Sequence, residues 1–360
     1  MIPKFDEKEL QVVSTTAETA MMPSINILSY PISARENYIS TLKRKPYWQV
    51  IGVESQIFTP RILPDNVARA FVLEAAPFDA VKEGGGPDMF GIEWEYIAQV
   101  GGSMVRPGKP LLEDANEWVE KVVWPDIEKW DWEGSAKINN GKYFSKDKLN
   151  NCWFQNGWYE RLISFMDFEG AIVALIDEDQ KDAVTALFTK LTDLYIKIFD
   201  KFIDTFPEID CFFVHDDWGY QKETFFSPAV CAEMIVPHMR RLTDHIHARG
   251  KLCELHSCGQ LMKQVPNMIA AGWDSWSGQA MNDMQKIYEL YGDKIMLGVS
   301  PDEIDINNTT EEEQRAAARD YADKFCNPAK PSFMGYSGAR NMSPAYREEL
   351  YKQSRINYSK

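Results

Sequence analysis

His256 and Cys258, two residues apart in the run Leu255-His-Ser-Cys-Gly259, are the side chains of this chain best suited by type to metal chemistry. A borderline-soft ion such as Zn2+ accepts both imidazole and thiolate. Residues i and i+2 at a strand end face the same side, so this spacing can bring both donors to one ion. The pair alone falls short of a four-ligand zinc pattern, and a polar strand end beside a buried thiol reads the same way. A second concentration of polar groups is His215-Asp-Asp217. Adjacent carboxylates on a strand point opposite ways, so one of Asp216 and Asp217 is expected to enter a site, as ligand, proton acceptor or orienting group. Paired acids before a helix also serve as solvated caps, and both readings stand at this point.

The elements around these residues repeat. From about Pro207 onward, apolar runs that end in polar residues alternate with amphipathic stretches. The runs begin at Ile209, Lys251, Trp273, Lys294 and Pro331, and each is strand-length. Ser227-Pro228 and Ser343-Pro344 place an N-cap before an N1 proline, Thr310 with Glu313 forms a capping box, and Gly250 and Gly272 supply helix stops. Alternating strands and helices demand parallel strands joined by crossovers. In a parallel barrel the C-terminal strand ends converge on one mouth, which is where His215, Asp216, Asp217, His256, Cys258, Gln279, Ser337 and Arg340 fall. In the first half, the segments starting at Trp48 and Asn151 read as strands and Asp179 to Thr205 as one long helix. The Gly-, Pro- and Trp-rich stretch from Gly84 to Trp132 reads as insertions over the mouth. Its aromatic residues fit either a substrate pocket or simple packing onto the barrel. His238, His245 and His247, whose spacings do not stack two imidazoles on one helix face, are expected at the surface or as caps. Cys326 ends the helix from Thr310, away from the mouth.

Composition narrows the partners. The chain has 360 residues, 44% of them apolar, and 39 basic against 54 acidic side chains give a formal charge of -15. Such a field repels phosphate backbones and anionic membranes, which excludes nucleic acid and membrane surfaces as expected partners. The first residues lack the apolar core of a signal peptide, and no apolar run approaches the roughly 20 residues that cross a bilayer, so a cytoplasmic protein is expected. Six cysteines (152, 211, 231, 253, 258 and 326) do not make a disulfide framework, and at least four read as core filler. Without repeats or linkers, one domain over residues 1–360 is expected, with 1–30 as an N-terminal extension.

The ordered set Phe213-Val-His-Asp-Asp-Trp-Gly, Ser227-Pro, Leu255-His-Ser-Cys-Gly259 and Ala271-Gly-Trp-Asp closely resembles the corrinoid-linked methyltransferase branch of the uroporphyrinogen decarboxylase superfamily. Ser33-Ala-Arg-Glu-Asn with Lys45-Pro46 looks like that family's opening helix. Asp88-Met-Phe-Gly-Ile-Glu-Trp94 and Pro125-Asp-Ile-Glu-Lys-Trp-Asp-Trp132 resemble segments of members that demethylate methoxylated aromatics. The resemblance covers about residues 30 to 355.

What it implies is an α/β fold, a single (β/α)8 TIM barrel with Zn2+ in its mouth. The implied reaction moves a methyl group between a substrate heteroatom and the cobalt of a corrinoid on a separate protein. His256 and Cys258 are then the metal ligands, and Asp217 or Asp216 the catalytic carboxylate. Asp88, Phe90, Trp94, Ser337 and Arg340 become the expected substrate contacts. Members that methylate a thiol carry a further zinc-binding cysteine near the position of Ser337, so the remaining ligands are sought among Asp217, Glu254, Cys326 and substrate. Fewer thiolates leave more positive charge on the ion, which favours activation of an ether oxygen and hence demethylation of a methyl ether. The competing implications are methyl transfer from methylcorrinoid to a thiol or tetrahydrofolate, and uroporphyrinogen decarboxylation itself. The latter must bind a polycarboxylate, yet the segment after the first strand, Gly52 to Arg61, holds one arginine and one glutamate.

Overall fold

The computed structural model describes residues 2–16, 24–99, 101–302, 304–305, 308–335 and 342–360. The apolar runs become the strands of one eight-stranded sheet: β1 Val50–Ile51, β2 Ser55–Phe58, β3 Leu149–Phe154, β4 Cys211–His215, β5 Leu252–His256, β6 Ser275–Ser277, β7 Met296–Gly298 and β8 Ser332–Met334. Their order is β1-β8-β7-β6-β5-β4-β3-β2. The pairs β3–β4, β4–β5, β6–β7, β7–β8 and β8–β1 are parallel. With helices as crossovers this is the expected (β/α)8, TIM-barrel-like class. It has one local departure: β1 and β2, the two ends of the order, are joined only by a three-residue 3-10 turn, Gly52–Glu54. Among the described residues no helix is long and apolar enough to cross a membrane.

Contacts divide the chain into two compact units. The first comprises residues 1–56, 145–149 and 274–360. Helix α1, Ala34–Leu42, starts with a capping box between Ser33 and Glu36, and the helix Glu311–Phe325 with one between Thr310 and Glu313. Ser343 caps Pro344–Tyr358 with proline at its first turn. Each start is legible because the cap satisfies backbone amides that have no partner inside the helix. Cys326 is buried, with its thiol on Gln49 Oε1 at 3.1 Å.

Glu54 ends the turn between β1 and β2, accepting from Ile51 N at 3.0 Å and Trp48 Nε1 at 3.3 Å. Burial pushes its carboxyl up from 4.5 to about 7 against the pull of those donors and of Arg347. The folded chain therefore holds a proton here that the unfolded chain releases between about pH 4.5 and 7, and stability falls as pH rises through that window. Glu54→Gln should remove this component, on the order of 3 kcal/mol across the window, read from urea denaturation at stepped pH. An unchanged slope would show that Glu54 titrates normally.

The second unit comprises residues 57–144 and 150–273. Its helices are α2 Trp158–Ala174, α3 Lys181–Thr205, α4 Pro228–Met234 and α5 Val236–Ala248. Along α3, Leu187, Leu191, Tyr195, Ile198 and Phe202 recur at helical spacing and are buried. The 84–132 stretch carries a small antiparallel sheet of Gly86–Pro87, Glu93–Ile97 and Gly102–Val105. One expectation is corrected on α5. His238 is neither at the surface nor a cap: it is 6% exposed and lies edge-on to Phe188 at 5.6 Å, because its helix face packs toward α3. His245 does pair outward, with Asp200 at 2.9 Å. Five of the six cysteines are buried, and Cys258 alone is partly accessible.

Candidate metal centre

The parallel pairing of β4 with β5 sets His215 directly beside His256. Their imidazoles stack, 4.4 Å apart and 15° from parallel. Two residues beyond each histidine the chain offers a second donor on the same side, Asp217 after β4 and Cys258 after β5. Asp217 Oδ1 lies 3.8 Å from His215 Nε2 and 3.7 Å from His256 Nε2. Cys258 Sγ lies 3.2 Å from His256 Nε2. His215, Asp217 and His256 each present one ligand atom within 4.8 Å of the others. Ligands at about 2.0–2.3 Å from a tetrahedral Zn2+ stand roughly 3.3–3.8 Å from one another, so these separations fit one ion.

Backbone contacts make this geometry rigid. Cys258 N donates to Asp217 Oδ1 at 2.7 Å and Trp218 N to Ser257 Oγ at 3.0 Å. Gly259, at φ +102°, approaches Gly219 so closely that an added Cβ would lie 2.3 Å from its carbonyl carbon. Only glycine lets the two loops meet.

Electrostatics favours ligation. Burial pushes His215 down to about 4, with Arg69 adding to it and Asp217 opposing; burial and then the neighbouring His215 do the same to His256. Both imidazoles are thus neutral near pH 7, the form that binds metal. Burial and the charge of Asp217 push the Cys258 thiol up to about 12, a cost that a bound cation reverses by stabilising thiolate.

The expected split of the acid pair is found. Asp217 joins the donors, while Asp216 is fully buried, accepting from Trp218 Nε1 and from Glu160 N, both at 2.9 Å. Burial pushes its carboxyl up to about 7. Gly157 makes room for it, since a Cβ there would lie 2.5 Å from Asp216 Cβ. Glu254, one pleat below His256, is buried and accepts from Asn151 Nδ2 at 2.8 Å.

Asp88, Phe90 and Trp94 are all buried. Asp88 accepts from Phe90 N, Ile92 N and Trp94 Nε1 at 2.9–3.1 Å and pairs with Arg161 at 2.6 Å. Phe90 packs edge-on against Trp124 and Phe165. Trp94 also borders a groove with Ile92, Tyr96 and Arg106, and the Arg69 guanidinium lies over its ring at 4.8 Å. Ser337 and Arg340 lie outside the described residues.

Three members of the arrangement escaped the sequence reading as site residues. His215 was noted only as part of a polar strand end. Glu160, whose Oε1 is 3.2 Å from His215 Nδ1, and Arg69, which pairs with Glu160, were not singled out. The available signal was that two neighbouring parallel strands both end in histidine followed at i+2 by a second donor.

Residues 165–330 match the family model described as Uroporphyrinogen decarboxylase (URO-D), so the superfamily part of the resemblance read from the sequence is borne out over that span. A methyltransferase from Methanosarcina mazei shares the fold at a TM-score of 0.56 and 13% identity, over 91% of this chain and 100% of its own. An endo-beta-1,4-mannanase from Thermotoga petrophila aligns at a TM-score of only 0.31 and 9% identity, over 59% of each chain, and carries no argument. A search of curated proteins by sequence finds no match.

Proposed function

We propose, from the match to the uroporphyrinogen decarboxylase family over residues 165–330 and a donor cluster that fits one ion, that this protein is a zinc-dependent methyltransferase. The methyl group moves from a methyl ether, of the methoxylated aromatic class, to the cobalt of a corrinoid on a separate protein. The observation that carries the reading is the convergence of the His215, Asp217 and His256 ligand atoms on one point, with Cys258 Sγ 3.2 Å from His256 Nε2 at its edge. Bound there, Zn2+ would supply Lewis acidity to the ether oxygen. The chain's own part is to hold the ion and orient the ether. His256 and Cys258, with His215 beside them, are the proposed ligands. Asp217 either completes the set or delivers a proton to the departing oxygen, and Trp94, Ser337 and Arg340 are the proposed substrate contacts. In balance, the methyl C–O bond breaks, Co(I) gives its electron pair to the methyl carbon to become methyl-Co(III), and oxygen leaves as phenolate or phenol. One domain over residues 1–360 and a cytoplasmic setting without nucleic acid go with this reading, in keeping with the charge of -15.

Decarboxylation of a polycarboxylate is disfavoured by a specific contact. Arg61, the one arginine in the segment after β1, is already engaged by Glu74 and Glu83.

Zinc-loaded protein mixed with a methoxylated phenol and reduced corrinoid protein should convert the Co(I) absorbance to that of methyl-Co(III), and a chelator should stop it. An unchanged spectrum across a panel of methoxylated aromatics would remove the demethylase reading.

A further inference from the structure

We infer that Glu160, clamped by Arg69, is a positioning residue that sets the tautomer of His215 and so aims its Nε2 at the metal; the inference rests on the metal-centre reading above. Glu160 sits in the first turn of α2, and that turn is stitched to the end of β4. Gly157 N donates to His215 O at 2.7 Å, and Glu160 N donates to Asp216 Oδ1 at 2.9 Å. The carboxylate is thus placed by backbone bonds on either side of the histidine it faces. Its Oε1 lies 3.2 Å from His215 Nδ1, within reach but off line for a full hydrogen bond. That nitrogen is buried and has no hydrogen-bond partner among the described residues, so a slight ring rotation toward Glu160 would satisfy it.

The other carboxylate oxygen, Oε2, takes the Arg69 guanidinium, which also donates through Nε to Asn156 Oδ1 at 2.9 Å. Asn156 in turn donates to Asp65 Oδ2 at 3.1 Å. Arg69 therefore cannot swing away without breaking a buried network, and Glu160 keeps one oxygen for His215. A carboxylate facing Nδ1 requires the proton there, which leaves the Nε2 lone pair free on the side of Asp217. Because His256 stacks on His215 at 4.4 Å, fixing one ring also limits the other.

Glu160→Gln tests this with almost no change in volume. A glutamine has one oxygen, and Arg69 will hold it. The amide NH2 then faces Nδ1 and favours the opposite tautomer, with the proton on Nε2 where the metal should bind. Two readouts are used, neither of them turnover. Competition with a chromophoric chelator measures zinc affinity, expected to weaken about 10–100-fold in Glu160→Gln. The 15N shifts of the His215 ring in metal-free protein, assigned by their loss in His215→Gln, should change from Nδ1–H in the wild type to Nε2–H in the variant. A variant with wild-type zinc affinity and the wild-type tautomer overturns the role of Glu160 while leaving the metal centre in place. Wild-type protein that binds no zinc sinks the metal-centre reading instead. The ring shifts then still decide whether Glu160 sets the tautomer.

Discussion

Alanine at His256 or at Cys258 is expected to lower zinc affinity by more than about 100-fold, at or beyond the upper end for loss of an outer-shell partner. Protein dialysed against a weak chelator should then keep its zinc in the wild type and lose it in either variant, by elemental analysis. The two substitutions are not equivalent. Cys258→Ala removes only the sulfur, since the bond from the residue 258 amide to Asp217 Oδ1 belongs to the backbone and survives. His256→Ala also removes the ring on which His215 stacks, and so disturbs two donors. Both side chains are partly exposed, so neither exchange opens a large cavity and melting of the metal-free proteins should change little. Zinc should separate them from the wild type: an ion at 100 times its Kd stabilises the folded state by about 2.7 kcal/mol. A zinc-dependent rise in Tm is therefore expected for the wild type and none for the variants at the same concentration. Full zinc content in both variants would mean that the ion, if any, sits elsewhere.

What the sequence could disclose follows from how local each signal is. The caps at Ser227, Thr310 and Ser343 act within four residues and all three were readable. Buried parallel strands read as apolar runs, so β1, β3 and β4 to β8 stood out, whereas β2 and the short strands of the 86–105 sheet left little pattern. Half of the donor cluster was legible because His256 and Cys258 share a strand end. Asp217 was among the candidates, but the place of His215 depended on register. Parallel strands are joined through a crossover, and nothing within β4 or α4 and α5 states that His215 will face His256 rather than a neighbour. Glu160 and Arg69 come from a helix start and an irregular segment, where a charged residue usually means solvent. Asp88, Phe90 and Trp94 show the converse. A Trp and a Phe around an Asp look alike whether they line a pocket or wrap a buried charge, and here Asp88 and Phe90 surround the Arg161 guanidinium while Trp94 also borders a groove.

That buried arginine should be among the most costly single positions in the chain. Arg161 is fully buried on α2, with Nη1 on Asp88 Oδ2 at 2.6 Å, Nη2 on Asp65 and its guanidinium over Phe90 at 4.8 Å. Arg161→Met keeps much of the volume but strands two carboxylates in the interior, for which a loss of about 3–5 kcal/mol is expected. Urea denaturation at pH 7 measures it. The deficit should depend on pH in a defined direction. Burial already raises the Asp88 carboxyl above its usual range, with Arg161 as the main opposing influence. Without the guanidinium, Asp88 is free to take up a proton, so the folded variant binds more protons than its unfolded chain and recovers stability as pH falls. A smaller difference from the wild type at pH 5 than at pH 8 is the expected result. The effect should also reach the metal centre: Asp65 accepts from Asn156, which anchors Arg69 and through it Glu160. Zinc affinity in Arg161→Met should therefore fall even though residue 161 touches none of the four donors. Adding Asp88→Asn, which neutralises a stranded carboxylate, should restore part of the stability, and a cost below about 1 kcal/mol for Arg161→Met alone would place it among ordinary surface substitutions and refute the network's role.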